Sequence, residues 1–170
     1  MTFTSDSRFT QAFNYSNQTV DAVASTTAVF KALSIDDQLA VLWYAYTEMG
    51  KSITPAATGA ARLQLAEGLL NQIKQMSHAE QLEAMRDLAA QKNTQVSRAY
   101  GILSANTKLA FWYELAVLMA KGFVVPVPAG YQISRDGAQV LATLQELDFG
   151  QQITVFRKVV TEMGVDPLAD

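Results

Sequence analysis

The side chains with most to offer chemically in this sequence are aromatic. Trp43, Tyr44 and Tyr46 crowd the end of the stretch Leu39–Tyr46, and Phe111, Trp112 and Tyr113 echo them later in the chain. Both tryptophans and three of the six tyrosines fall in these two short segments. Trp43 and Tyr46 are three residues apart, so on a helix they share a face with Leu39, Leu42 and Met49. Leu109, Trp112, Leu115, Ala116 and Met119 make a matching stripe on a second helix. Two such faces either pack on each other as core or wall a slot for a flat apolar ligand. Periodicity alone favours the core, because an aromatic stripe at helical spacing usually packs against protein.

Acid–base and metal chemistry find little support. The single histidine, His78, falls in the first turn of a helix and reads as a surface or capping residue. Asp36 and Asp37 open a helix, where negative charge complements the backbone dipole. Glu48 and Glu114 follow the aromatic segments and fit an exposed helix face. No glycine loop cradles phosphate, and neither a nucleophile elbow nor a paired-histidine zinc motif occurs. Absence of cysteine excludes disulfides, thiolate metal sites and cysteine nucleophiles. The sequence makes no case for an enzyme.

The elements that must position the aromatic faces are helices. Ser34 caps the first organising helix, which runs to about Lys51 with Gly50 as a stop, and Ser104 and Gly122 bracket the second. A polar arm over residues 1–24, with Phe3, Phe9, Phe13 and Tyr15 scattered along it, precedes a short helix over Thr26–Ala32. Pro55 starts a helix rich in small residues (Gly59, Ala60, Ala61) that ends near Met76. Ser77 and Glu80 have capping-box spacing, and Thr94 caps a further helix. The apolar linker Val124–Tyr131, stiffened by Pro126 and Pro128, divides the chain into a long first part and a two-helix tail. Ser134 starts the first tail helix, and Gly150 separates it from the last, which ends near Gly164. About eight helices with weak strand signals predict an all-α fold. Leu33-Ser34 and Leu103-Ser104, each followed by Leu-Ala and an aromatic pair, form a faint internal echo whose register slips by one residue.

Length suits one domain, and composition narrows its setting. Hydrophobic residues are 49% and charged residues 17%, a surplus of apolar surface for a core, an interface or an apolar ligand. No apolar run is long enough to span a membrane, and no basic-then-apolar leader opens the chain. A net charge of −3 argues against nucleic acid as a partner.

The string Asp37–Thr54 closely resembles the N-terminal domain of the orange carotenoid protein of cyanobacteria. So do Lys108–Leu115, Pro126–Tyr131 and Gly150–Arg157, in the same order, with the resemblance running from about residue 20 to about 165. The chain is accordingly identified as a member of the helical carotenoid proteins, stand-alone relatives of that domain, with residues 25–170 as the pigment-binding unit. The resemblance implies two interleaved four-helix bundles with a keto-carotenoid, canthaxanthin or echinenone, threaded between them. Trp43 and Tyr46 would contact the pigment end nearest the interface with the light-responsive domain. Trp112 and Tyr113 would flank the polyene, and Leu39, Leu42, Leu109, Val127 and Ile153 would line the tunnel, with Met85 and Tyr131 nearby. Arg157 matches an arginine that pairs with a carboxylate of the light-responsive domain, and Asn106 matches a second interface residue. Ala110 and Ala116 stand where the family often carries glycine, which narrows the tunnel.

What the resemblance implies about function is photoprotection by singlet-oxygen quenching, without catalysis by side chains. The alternatives are quenching of excitation in a phycobilisome, and carriage of pigment exchanged with a separate homologue of the C-terminal domain. The implied setting is the cytoplasm, with phycobilisomes at the thylakoid surface, as monomer or homodimer. A carotenoid is a stiff apolar rod about as long as a 20-residue helix, ~30 Å. Burying several hundred Å² of it gains on the order of 10 kcal/mol before the cost of immobilisation.

Overall fold

The computed structural model describes residues 7–53 and 63–169, with side chains described at residue 18, at 21–50 and at 63–169. Eight helices occur among the described residues, and no strand. They are α1 (Ser7–Ala32), α2 (Ile35–Ile53), α3 (Leu63–Lys74), α4 (His78–Ala89), α5 (Gln95–Gly101), α6 (Ala105–Ala120), α7 (Arg135–Glu146) and α8 (Phe149–Thr161). None of them is long and apolar enough to cross a membrane. Helices α1, α2, α7 and α8 pack as one bundle, and α3, α4, α5 and α6 as the other. Packing of α6 on α8 and of α2 on α4 joins the two bundles. The fold is thus all-α, with the bundles interleaved in the chain.

Hydroxyls and carboxylates set the helix starts. Ser34 Oγ accepts from Asp37 N, and Ser77, Thr94, Ser104 and Ser134 each accept from a backbone N–H three residues on. The box predicted at Ser77 and Glu80 is present. The last helix departs from expectation. Asp148 is its cap, with a second capping box to Gln151, so Gly150 lies inside the first turn rather than between helices. Gly50 does not end α2, which continues to Ile53. Nor is α1 a short helix after a polar arm: it runs unbroken through 26 residues. Its buried hydroxyls among the described residues, Thr26 and Thr27, bond the helix itself. Thr26 and Thr27 donate to the carbonyls of Ala22 and Val23 at 2.7 Å. The side chains of Phe3, Phe9, Phe13 and Tyr15, and the start expected at Pro55 with Gly59, Ala60 and Ala61, lie outside the described residues.

A second device ties α2, α4 and α8 each to the helix before it. Four residues after a cap, a buried glutamine amide turns back and donates to carbonyls at the preceding helix end. Gln38 reaches Lys31 and Leu33, Gln81 reaches Ile73, and Gln152 reaches Leu144 and Leu147, at 2.9–3.3 Å. These carbonyls are ones that a helix terminus leaves without intrahelical partners. Gln81 also receives the Val125 N–H at 2.9 Å, which pins the start of the Val124–Tyr131 linker. That linker does not divide the molecule: it returns the chain so that α7 and α8 complete the bundle begun by α1 and α2.

The faint echo in the sequence is a full internal repeat. At a spacing of 70 residues, Phe30 corresponds to Tyr100, Ser34 to Ser104, Leu39 to Leu109 and Ala45 to Leu115, and burial matches at every position from Leu33 to Val41. At a spacing of 71, α3 and α4 correspond to α7 and α8. Buried Ala66, Leu69, Leu70 and Ile73 fall on Gly137, Val140, Leu141 and Leu144, and Gln81 falls on Gln152. Each bundle takes the first two helices of one repeat and the last two of the other.

Candidate functional site

Between the bundles lies a cavity of about 350 Å³, within the range of small-molecule sites. Helices α2 and α8 of one bundle face α4 and α6 of the other across it, and the linker covers one side. Of the residues singled out from the sequence, Leu39, Leu42, Trp43, Tyr46, Met85, Leu109, Trp112, Tyr113, Val127 and Tyr131 line it. Ile153 does not. It is buried in the core, and Phe156 and Val160 are the residues that α8 contributes instead. Ala116 lines the cavity, whereas Ala110 is buried in the core.

The lining draws on equivalent positions of the two repeats. Leu39 and Leu109, Leu42 and Trp112, Trp43 and Tyr113, and Tyr46 and Ala116 are pairs 70 residues apart. The one-residue slip in the echo is therefore a change of residue type at fixed positions. Trp43 and Tyr46 stack with centroids 5.9 Å apart at 27°, and Tyr46 meets Tyr113 edge-on across the bundles at 5.5 Å. Burial, together with the nearby Tyr113 and Glu114, pushes the Tyr46 hydroxyl pKa up, so this wall is neutral at physiological pH.

Trp112 is held from behind. Its Nε1 donates to Tyr100 Oη at 3.0 Å, and the Tyr100 hydroxyl donates to the Val160 carbonyl at 2.6 Å. Phe111 packs edge-on against both rings. This relay links α6, α5 and α8 and fixes the orientation of the indole. Behind it, the buried Lys108 donates to Thr161 O at 2.8 Å at the end of α8, where a cation complements the helix dipole.

One stretch of the rim is polar. Asp36 and Arg86 line the cavity and form a bidentate pair, Nε to Oδ1 at 2.8 Å and Nη2 to Oδ2 at 3.0 Å. Arg86 Nη1 donates to Glu83 Oε1 at 2.8 Å. The hydrogen bond from Arg86, against a smaller opposing effect of burial, holds the Asp36 carboxyl below its ordinary pKa. Burial works against the charge of neighbouring Asp37, but hydrogen bonds from Ser134 and from Tyr131, whose hydroxyl lies 2.8 Å away, outweigh it. Tyr131 is in turn pushed up to about 12, by burial first and then by Asp37. Sequence reading missed the Asp36–Arg86 pair because its members are fifty residues apart and neither belongs to an aromatic stripe. It also left out Pro126, Pro128 and Met119 as lining residues, although the linker motif and the α6 stripe contain them.

Asn106 and Arg157 do not line the cavity; both are half-buried. They occupy the positions of the second repeat that correspond to Asp36 and Arg86. An asparagine thus stands where the first repeat has a carboxylate, and Arg157 Nε is buried with no hydrogen-bond partner among the described residues. No cluster of three or more His, Asp or Glu side chains among the described residues could hold a metal.

Residues 16–166 match a family model described as orange carotenoid protein, N-terminal. The chain is 81% identical, over the whole of both chains, to an orange carotenoid-binding domain-containing protein of a Nostoc species. Among solved structures it resembles the Anabaena (Nostoc) orange carotenoid protein binding canthaxanthin, at 52% identity and a TM-score of 0.79. That match covers 86% of this chain and 48% of the other, so the chain spans about half the length of that relative. It also resembles the Anabaena (Nostoc) red carotenoid protein binding canthaxanthin, at 39% identity and a TM-score of 0.75, covering 84% of this chain and 97% of the other.

Proposed function

This chain belongs to the orange carotenoid protein N-terminal family, and on that premise we propose that it binds a keto-carotenoid in the cavity between its bundles and protects against light by quenching singlet oxygen. The observation that carries the reading is the aromatic, largely apolar wall shared by α2 and α6. The bound polyene would accept energy from excited oxygen and release it as heat. The chain's part is to hold, orient and enclose. Trp43, Tyr46, Trp112 and Tyr113 offer ring faces and edges for stacking, and Leu39, Leu42, Met85, Leu109 and Val127 supply apolar contact that excludes water. Trp112, fixed by Tyr100, needs no rearrangement to receive a rigid ligand.

Protein purified from cells making canthaxanthin is expected to carry a red-shifted visible band that co-elutes with it. Its holo form is expected to suppress singlet oxygen in a dye-sensitised assay. A colourless product would reject pigment binding. A coloured product that leaves singlet oxygen untouched, where free carotenoid suppresses it, would reject the protective role alone.

Arg157 favours a second, compatible reading, in which the holoprotein docks on an acidic protein surface, either a homologue of the C-terminal domain or a phycobilisome. Among the described residues, its buried Nε has no counterpart to the carboxylate that Asp36 supplies to Arg86 at the equivalent position. Holoprotein mixed with phycobilisomes is expected to lower their fluorescence, and the Arg157→Leu variant is expected not to.

A further inference from the structure

Asp36 and Arg86 are the two charged residues in the cavity lining. Three of the five guanidinium N–H groups of Arg86 are engaged by Asp36 and Glu83, leaving two. The state of charge decides what those two can bind. An arginine without counter-charge calls for an anion, whereas here two carboxylates already balance one guanidinium. Its remaining N–H groups therefore suit a neutral oxygen, such as a ketone or hydroxyl, at the end of an apolar molecule. Two neutral donors of the lining are already committed, Trp112 Nε1 to Tyr100 and the Tyr131 hydroxyl to Asp37.

We propose that Arg86, neutralised by Asp36 and Glu83, is the seat for an oxygen-bearing end group of the bound pigment. This rests on the carotenoid reading and deepens it. The seat exists at one end only, because the equivalent residue of the second repeat, Arg157, is not part of the lining. The site therefore selects oxygenated pigments over hydrocarbon ones. It also fixes the direction of a pigment oxidised on one ring, with the oxidised ring at Arg86.

The test loads apo protein with echinenone, which has a ketone on one ring, and reads its carbonyl stretch by infrared difference spectroscopy. The frequency is expected to lie below its value in an apolar solvent and to return to that value in Arg86→Met. In competition with β-carotene, wild type is expected to favour echinenone about tenfold, and the variant to favour neither. A wild-type carbonyl at the apolar-solvent frequency overturns the seat, and this holds even if Arg86→Met fails to fold. An unchanged preference in the variant overturns it too. Apo protein that takes up neither pigment overturns the carotenoid reading itself, whereas uptake of both without a carbonyl shift overturns the seat alone.

Discussion

Tyr100 shapes the cavity without touching it. Its ring is fully buried, and its hydroxyl is the hinge between the Trp112 indole and the Val160 carbonyl. Tyr100→Phe removes that hinge and leaves the indole N–H buried without a partner, at an expected cost of about 1–3 kcal/mol. A urea titration followed by tryptophan fluorescence measures it. Alkaline pH probes the same residue differently. Burial raises the hydroxyl pKa above its ordinary value of 10, with the hydrogen bond from Trp112 opposing. A group whose folded pKa is raised contributes stability below its unfolded pKa and loses it as pH rises beyond. Wild type is therefore expected to weaken above about pH 10, and Tyr100→Phe to weaken less steeply over that range. Nothing in the sequence marks Tyr100 as special. It sits in a seven-residue helix, and its role appears only when α5 is laid against α6 and α8.

Helix starts were legible because a cap is a local chemical event. Ser34, Ser77, Thr94, Ser104 and Ser134 all act where they stand in the sequence. The extent of α1 was not, because a Ser- and Thr-rich stretch has no clear apolar stripe, and the self-bonding of Thr26 and Thr27 is visible only once the helix exists. The glutamines that turn back four residues after a cap also went unread, since an isolated glutamine looks like surface. Gln152→Glu tests their worth. It replaces a buried donor with an acceptor facing the Leu144 and Leu147 carbonyls, and the urea midpoint is expected to fall by the equivalent of about 1–3 kcal/mol. A midpoint unchanged from wild type would mean that solvent satisfies those carbonyls equally well.

Across the whole molecule, the aromatic walls were readable from spacing, since α2 and α6 keep their stripes in register. The cavity between them was not, because core and slot have the same helical period, and only the packing of α4, α8 and the linker separates the two. Ile153 shows the limit: its place on the α8 stripe was right for burial, but the wall is made by Phe156 and Val160. The packing of α6 on α8 and of α2 on α4 couples the two bundles. Unfolding in urea is expected to be a single transition, coincident by far-ultraviolet dichroism and by the fluorescence of Trp43 and Trp112, one in each bundle. Separate transitions would mean that the bundles are independent domains.

The exchange of helices between repeats has the form of a domain-swapped pair whose two partners have been spliced end to end. The turn joining α4 to α5 is the splice, and its backbone is needed only to keep the partners at high local concentration. Severing the chain there leaves two polypeptides, residues 1–91 and 92–170, each lacking half of every bundle. Expressed together, they are expected to find each other and co-purify with the cavity restored, while each alone is expected to be unstable or to pair with itself. A gene encoding half this length could, by that logic, assemble a pigment channel from two identical copies.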